Sequence, residues 1–168
     1  MFELNAKNLT IGATALAAAT ITSAYAFQYI GGYIPCDLCY EQRNPYYIAI
    51  PILLMGIFLW DRLNANYRTI LLGAAALIFG YGTWTAGYHS GVEWSWWPGP
   101  DTCTGVGAGI NDFSALENIN ETVVIPCDRA QVRFFGLSFA GMNAIVSLIL
   151  TCITLYAGHI NFHANKQG

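Results

Sequence analysis

The chain has 168 residues, of which 55% are hydrophobic and only 10% carry a charge. A soluble domain of this size carries roughly 25% charged residues, so the charges here are too few to cover a surface that faces water. The net charge of −3 is small. This composition excludes a disordered chain, a nucleic-acid-binding protein and a coiled coil, and it places the chain in a lipid bilayer.

Long segments without charged residues predict four membrane-crossing helices. About 20 apolar residues are needed for a helix to cross the roughly 30 Å hydrocarbon core, and a helix of a soluble core rarely runs so far without polar residues on one face. The predicted helices cover approximately residues 9–30, 44–60, 69–88 and 134–158. The expected fold class is an all-α integral membrane protein, a four-transmembrane-helix bundle that forms one domain over residues 1–168.

The first segment has a second interpretation as a signal peptide. Lys7, an apolar stretch and the small residues Ala24 and Ala26 imitate a positively charged start followed by a cleavage site. The apolar run from Leu9 to Ile30 is longer than an ordinary signal core and continues past that site. We therefore expect a retained helix.

The distribution of cysteines predicts the orientation of the bundle. Four crossings place both termini on one side and two outer loops, approximately residues 31–43 and 89–133, on the other. Four of the five cysteines fall in these loops and none falls on the opposite side, as expected for disulfides in an oxidising compartment. The positions of the Lys and Arg residues only slightly favour cytoplasmic termini. Four lie on the side of the termini and three on the side of the outer loops: Lys7, Arg62, Arg68 and Lys166 against Arg43, Arg129 and Arg133.

The second outer loop carries two local patterns. The aromatic run WSWWPGP over residues 94–100 ends in a Pro-Gly-Pro turn and suits the membrane interface. Apolar residues at every third position from Ile110 to Ile119 predict a short amphipathic helix on the membrane surface. Ordinary packing of this segment against the rest of the loop is the alternative.

Cys36 and Cys39 form a C-x-x-C motif before the second predicted helix. Such a pair is either half of a metal site or a redox disulfide. Cys103 and Cys127 could complete a zinc site, but their sequence separation of 24 does not fit zinc-ligand spacing. A disulfide within C-x-x-C closes a very small ring, which adds little stability and suits exchange. The motif therefore favours redox chemistry.

Arg43 follows Cys39 by four residues and would share its face on a continuous helix. A guanidinium and a helix N-terminus both favour a thiolate and so lower a thiol pKa. Asp37 opposes this effect, and Pro45 can break the turn. The alternative role of Arg43 is an interfacial anchor for the helix.

Cys103 and Cys127 allow two interpretations. Alone, they predict a structural disulfide across a long loop. Beside a C-x-x-C on the same membrane face, they allow exchange between two disulfides, which requires an electron source and an electron sink. The sequence has no nucleotide-binding glycine loop, no haem-attachment motif and no iron–sulfur cysteine pattern, so a lipid-soluble acceptor is the simplest sink.

Three segments carry a resemblance to a known family. PCDLCYEQR, YHSGVEWSWWPGPDTC and PCDRAQVRFFGLS resemble the DsbB family of bacterial disulfide-bond-forming membrane proteins, and the resemblance covers nearly the whole chain. It implies a protein-disulfide:quinone oxidoreductase of the bacterial inner membrane, with periplasmic redox loops. Such an enzyme re-oxidises a DsbA-type periplasmic thioredoxin-fold protein and passes the electrons to the membrane pool of quinone, ubiquinone or menaquinone.

The resemblance also implies roles for the four outer cysteines. Cys103 and Cys127 would oxidise the partner, with Cys103 forming the mixed disulfide. Cys36 and Cys39 would then re-oxidise that pair, and Cys39 would pass electrons to the quinone.

Further residues follow from the same resemblance. Arg43 would support the Cys39 thiolate and contact the quinone, and His89 would lie near the quinone, unless it is a simple interfacial histidine. No quinone contact is assigned near Phe139. Cys152 matches no family motif, and we expect a small buried packing residue there.

Two other functions compete with this one. A vitamin-K-epoxide-reductase-like quinone reductase shares the bundle and the chemistry, but its C-x-x-C lies on the last helix, whereas here the motif comes first. A non-enzymatic four-helix scaffold would have a structural loop disulfide and a C-x-x-C that binds metal or nothing.

Overall fold

The computed structural model describes residues 5–100, 103 and 126–167, and the regular secondary structure of these residues is helical apart from one short hairpin. The predicted surface helix from Ile110 to Ile119 lies outside the described residues. The helices are α1 (Ala6–Tyr29), α2 (Asp37–Glu41), α3 (Asn44–Phe58), α4 (Ala65–Glu93) and α5 (Phe139–Gln167), and the strands are β1 (Arg133–Phe134) and β2 (Leu137–Ser138).

Three helices of the described chain are long and apolar enough to cross a membrane. They are α1, α4 and the part of α5 over Phe139–Ala164, which together indicate a multi-pass membrane protein. Helix α3 has 15 residues and is therefore about 22 Å long, shorter than the roughly 30 Å hydrocarbon core. The fourth crossing stays a prediction.

Helices α1, α4 and α5 each extend beyond the predicted bounds at one end or both, whereas α3 ends at Phe58, two residues before its predicted end. Asn5 and Asn64 cap α1 and α4, each accepting a hydrogen bond from the backbone N–H three residues later, so both helices start before residues 9 and 69. Helix α4 also continues past residue 88 to Glu93, and α5 continues past residue 158. Uncharged stretches underestimate helix length because a membrane helix continues into the polar interface with charged residues in its end turns.

The predicted start of the fourth helix at residue 134 is wrong. Strands β1 and β2 pair there as a hairpin whose two-residue turn, Phe135 and Gly136, has φ values of 49° and 84°, as a type I′ turn requires. Helix α5 begins only after Ser138, whose Oγ accepts a hydrogen bond from the Gly141 backbone N–H at 3.1 Å. Because of the turn and this N-cap, the helix begins five residues later than predicted, at Phe139.

Four helices pack in a ring around a core of small side chains. Helix α1 contacts α3 and α5, and α4 contacts the same two helices. Small residues allow membrane helices to approach closely, and Tyr46 and Phe79 fill the wider part of the core, with ring centroids 5.9 Å apart. The buried alanines of the core are Ala6, Ala13, Ala17, Ala49, Ala75 and Ala157.

An ion pair marks one end of the bundle. Lys7 Nζ at the start of α1 lies 3.2 Å from Asp61 Oδ2 in the connection between α3 and α4. Because both side chains are exposed, the pair adds only about 0–1 kcal/mol. The pair shows that the start of α1 and this connection lie together, at the end of the bundle opposite the C-x-x-C segment.

Cys152 is exposed on α5 rather than buried, so the prediction of a packing residue is wrong. Leu150 and Thr154 are fully buried on the same helix. Successive residues rotate by about 100° around a helix, which places Cys152 on the outer side, facing the bilayer.

We expect Gly91→Ala to destabilise the protein. Trp97 folds back over the end of α4, where its Nε1 donates to the Tyr88 carbonyl at 2.9 Å and its ring stacks on that of Tyr88. A Cβ at Gly91 would overlap the Trp97 ring. Overpacking costs about 1–3 kcal/mol, more than the roughly 1 kcal/mol that alanine gains over glycine in a helix.

Thermal denaturation in detergent measures this effect. Gly87 is the matched control, because a Cβ added there meets nothing within 4 Å. Gly87→Ala should keep or raise the midpoint temperature of unfolding, whereas Gly91→Ala should lower it. Equal midpoints for the two variants would contradict the predicted overlap.

Candidate functional site

The four outer cysteines lie in one buried cluster at the end of the bundle away from the Lys7–Asp61 pair. Cys103 and Cys127 form a disulfide, and Cys36 packs against them, with Cys39 at the edge of the cluster. The structure thus brings together the two pairs that the sequence places in separate loops. The other members of the cluster are Leu38, Val92 and Tyr88.

The C-x-x-C occupies the start of the short helix α2. Cys36 is its N-cap residue, and the Cys36 and Cys39 sulfurs are 2.6 Å apart. Helix α2 ends at Glu41, and Arg43 lies in the turn before α3. The continuous helix on which a shared face of Cys39 and Arg43 depended is therefore absent, because the chain turns at Arg43, just before Pro45 in the first turn of α3.

Arg43 is buried without a carboxylate partner among the described residues. Its Nη1 donates to Gln28 Oε1 at 2.6 Å, and its guanidinium lies over the rings of Tyr25 and Tyr40, 5.0 and 5.2 Å from their centroids. Neutral partners leave its positive charge uncompensated. The charge is therefore available to Cys39 and to an electron-rich ligand beside it.

The two thiols of the C-x-x-C differ in acidity. The hydrogen bond with Cys39 and then burial raise the pKa of Cys36 well above its usual range. The same hydrogen bond lowers the pKa of Cys39 against the opposing effect of burial; Glu93 raises that pKa and Arg43 lowers it, each by a smaller amount. Sequence reasoning assigned the effect to Arg43 with Asp37 opposing. The structure instead gives Cys36 the leading part and Glu93 the opposing charge.

This asymmetry predicts selective alkylation of the reduced protein. The lowered pKa of Cys39 makes its thiolate available at a lower pH than for an ordinary thiol, whereas Cys36 remains protonated and unreactive. Iodoacetamide at neutral pH should therefore modify Cys39 first, as peptide mass spectrometry over a pH series would show. Preferential labelling of Cys36 would contradict the assignment.

His89 lies inside the protein rather than at an interface. Its side chain is 3% exposed, its Nδ1 is 2.6 Å from Gln42 Nε2, and its Nε2 is 3.2 Å from the Cys127 carbonyl oxygen. The Cys36 sulfur is 3.8 Å from the same Nε2. His89 therefore touches both cysteine pairs.

A chain of polar side chains supports His89 from the core. Gln42 Nε2 donates to the Leu38 carbonyl at 3.1 Å, and Gln42 Oε1 accepts from Asn143 Nδ2 at 2.9 Å. Tyr46 in turn donates its hydroxyl hydrogen to Asn143 Oδ1 at 2.6 Å. Sequence reasoning missed Gln42 and Asn143, although polar side chains in membrane segments commonly mark functional positions.

Glu93 is a third residue that sequence reasoning missed. It follows His89 by one helical turn, its side chain is 6% exposed, and its Oε1 lies 3.8 Å from His89 Nε2. Its Oε2 is buried without a hydrogen-bond partner. The available signal was the His-x-x-x-Glu spacing, which puts both side chains on one helix face.

A cavity of about 340 Å³ adjoins the C-x-x-C, a volume within the range of small-molecule sites. Its polar wall contains four of the six predicted site residues, and Cys103 and Cys127 lie outside it. Its apolar wall is formed by α1 and α5. The residues of the polar wall that concern the chemistry are Cys36, Cys39, Arg43, His89 and Glu93, and apolar ones include Ile21, Phe27, Met142 and Val146.

The metal alternative has three possible donors here, since Cys36, Cys39 and His89 offer ligand atoms within 4.8 Å of one another. Two thiolates on one tetrahedral zinc ion lie about 3.8 Å apart, given Zn–S bonds near 2.3 Å. The sulfurs are 2.6 Å apart, so this arrangement is closer to a dithiol or disulfide pair than to a zinc site.

Comparison with protein families gives a match over most of the chain. The profile of the family described as "Disulfide bond formation protein DsbB" matches residues 6–157. The chain belongs to the DsbB family. Its sequence resemblance to DsbB is thereby confirmed, and membership makes this DsbB-family protein an oxidoreductase of disulfide bond formation in a membrane.

A bacterial relative extends over nearly the same length. "Uncharacterized protein RP370" of Rickettsia prowazekii (strain Madrid E) is 25% identical over 167 residues, which cover 98% of this chain and 90% of that protein. Its name gives no activity. No solved structure matches the chain significantly.

Proposed function

We propose that this DsbB-family protein is a membrane dithiol oxidase that re-oxidises a DsbA-type periplasmic thioredoxin-fold protein and passes the electrons to a membrane quinone, ubiquinone or menaquinone. One observation carries the proposal: the four cysteines share a cluster that borders a cavity with an apolar wall. Electrons can therefore pass from a loop disulfide to the C-x-x-C and on to a lipid-soluble acceptor without a further cofactor.

The electron flow requires such an acceptor. A DsbA-type partner has a potential near −120 mV, so its reduced form is a weak reductant, and each 30 mV against the flow costs about 1.4 kcal/mol for two electrons. In each turn the two partner thiols become a disulfide as the Cys103–Cys127 bond is reduced. That pair then reduces the Cys36–Cys39 disulfide, and the two electrons and two protons leave with the quinone.

The residues of the cavity fit a quinone head group. The uncompensated Arg43 guanidinium supplies hydrogen-bond donors for a carbonyl oxygen, and the half-buried Cys39 adjoins it with a lowered thiol pKa. Side chains from α1 and α5 suit an apolar tail. In this proposal Cys39 is the electron donor and Arg43 binds the head group. His89, at the edge of the cavity, holds the two cysteine pairs together.

The proposed location is the bacterial inner membrane, with both termini cytoplasmic and both cysteine loops periplasmic. The Lys7–Asp61 pair supports common placement of the N-terminus and the α3–α4 connection. The periplasm also allows the Cys103–Cys127 disulfide to persist. Helix α3 would be the fourth crossing, its short length extended toward the interface by α2.

Quinol formation tests the proposal. Purified protein is mixed with a reduced thioredoxin-fold dithiol protein and ubiquinone or menaquinone, and the quinone absorbance is followed. We expect catalytic turnover, unchanged in the control Cys152→Ser, because Cys152 lies on the outer face of α5. Absence of turnover with both quinones, in protein whose C-x-x-C is intact, would contradict the proposal.

The donor set of Cys36, Cys39 and His89 supports a second candidate, a metal-binding scaffold. Stoichiometric zinc in the purified protein, with Cys36 and Cys39 protected from alkylation until a chelator is added, would favour it over the oxidase.

A further inference from the structure

Gln28 turns inward at the end of α1. It is the second-last residue of that helix, and the next two residues, Tyr29 and Ile30, are 75% and 87% exposed. Gln28, by contrast, is half-buried, lines the cavity and bonds the buried guanidinium of Arg43. Its position at a helix end would also allow hydration, so the inward orientation indicates a role within the cavity.

The contact with Arg43 fixes which way the Gln28 amide points. A guanidinium only donates hydrogen bonds, so the Gln28 atom that lies 2.6 Å from Arg43 Nη1 is the oxygen Oε1. The amide nitrogen Nε2 has no hydrogen-bond partner among the described residues, and unlike Glu93 Oε2 it is not enclosed by protein atoms. Gln28 therefore presents its donor end, while its oxygen is held against the Arg43 charge.

The same contact restrains Arg43. The guanidinium lies over the rings of Tyr25 and Tyr40, and the bond to Gln28 adds a directional constraint that ring contacts lack. Both Gln28 and Arg43 line the cavity. Its wall therefore contains two adjoining donor groups, one neutral and one charged.

A quinone carbonyl oxygen matches this pair of donors. Such an oxygen only accepts hydrogen bonds, and its two lone pairs can accept one from each residue. We propose that Gln28 binds the quinone head group by donating from Nε2 to the carbonyl oxygen that also accepts from Arg43. This inference rests on the proposed function and deepens it, because it names a residue that recognises the oxidised head group.

The donor pair also distinguishes the substrate from its product. A quinol carries hydroxyl groups in place of the carbonyl oxygens, and their hydrogens need acceptors. Neither the Arg43 guanidinium nor the Gln28 nitrogen accepts a hydrogen bond. The site consequently binds the quinone more tightly than the quinol, which favours release of the product.

Binding measurements on Gln28→Met test the proposal. The protein carries Cys36→Ser and Cys39→Ser, so that no dithiol can reduce the ligand, and it is titrated calorimetrically with a short-chain ubiquinone or menaquinone, whichever the wild type turns over. Methionine keeps the approximate length of the side chain and removes its donor. We expect the dissociation constant for the quinone to rise about tenfold, on the scale of one lost hydrogen bond, which corresponds to about 1.4 kcal/mol.

Gln28→Glu, in the same background, separates donation to the ligand from support of Arg43. Its carboxylate keeps an oxygen for the guanidinium but replaces the amide donor with an acceptor. We expect quinone binding to weaken at least about tenfold, whereas the quinol, titrated without oxygen, should bind at least as tightly as before because its hydroxyl can donate to the carboxylate. Equal weakening for both ligands would show that Gln28 only holds Arg43 in place, and would overturn the inference.

Turnover of the protein with intact cysteines gives a second readout. Gln28→Met should raise the KM for the quinone about tenfold and keep kcat near the wild-type value, the pattern of lost substrate binding. Disulfide exchange with the reduced partner in quinone-free protein should keep its wild-type rate. Tyr29→Phe is the matched control, because Tyr29 is the next residue of α1 and mostly exposed, and it should leave KM unchanged. A lower kcat with an unchanged KM in Gln28→Met would overturn the inference.

The outcomes separate this inference from the proposed function. If the wild type forms no quinol with either quinone, the proposed function fails. If the wild type forms quinol and both Gln28 variants bind the quinone as tightly as the protein with Gln28, only the role of Gln28 fails.

Discussion

Cys39→Ser is expected to abolish quinol formation, with a loss of at least about 1,000-fold, the scale seen when a reactive nucleophile is removed. Cys39 is the thiol of the C-x-x-C whose pKa is lowered, and it lies in the wall of the cavity. A serine hydroxyl can form neither the disulfide with Cys36 nor a comparable anion at neutral pH. The measurement is the rate of quinol formation with the reduced partner.

Two controls test whether the loss of quinol formation is specific to Cys39. Cys152→Ser should turn over like the wild type, and in Cys39→Ser the Cys103–Cys127 disulfide should still form, as alkylation mass shifts would show. Turnover near the wild-type rate in a correctly folded Cys39→Ser protein would contradict the proposed mechanism, because no second dithiol borders the cavity among the described residues.

Cys103→Ser is expected to abolish turnover driven by the protein partner while leaving turnover driven by a small dithiol. The Cys103–Cys127 disulfide is the proposed entry point for partner electrons, so its loss blocks the first exchange. A small membrane-permeable dithiol can reduce the Cys36–Cys39 disulfide directly, after which Cys39 and the cavity are intact. Quinol formation with each reductant measures the difference.

The paired variant Cys127→Ser should behave in the same way, since either replacement removes the disulfide. A general loss of quinol formation with both reductants would indicate that the disulfide only maintains the fold. Unchanged turnover with the protein partner would show that the Cys36–Cys39 pair receives its electrons directly.

The main features of the helices follow from composition, and their ends do not. Uncharged stretches locate the interiors of α1, α3, α4 and α5 because hydrocarbon excludes charge. The hairpin at Phe135 and Gly136 depends on two residues with positive φ, and the start of α5 depends on a single serine hydroxyl. Such local features leave hydropathy almost unchanged, so a prediction based on charge places the helix start too early.

The candidate site, too, could be predicted only in part from the sequence. Motif spacing identified the cysteines and Arg43, the family resemblance added His89, and the structure brings these residues together around one cluster and one cavity. Motif spacing did not identify Gln42 or Asn143, because their contacts join Gln42 to α4 and α5 across large sequence separations. Glu93 was missed although it lies four residues after His89 on the same helix. Cys152 was misjudged for a related reason: which face of α5 is buried depends on how the helices pack.

The burial of the Cys103–Cys127 bond has a consequence for selectivity. These residues are only 4% and 1% exposed, and a thiolate must approach a disulfide along the sulfur–sulfur axis to displace one sulfur. If the protein has the proposed function, a small soluble thiol would meet a shielded bond, whereas a protein partner that moves the two cysteines as it binds would reach a sulfur. Partner binding and exposure of the disulfide would then be a single event, and oxidation would be restricted to proteins that can bind in this way.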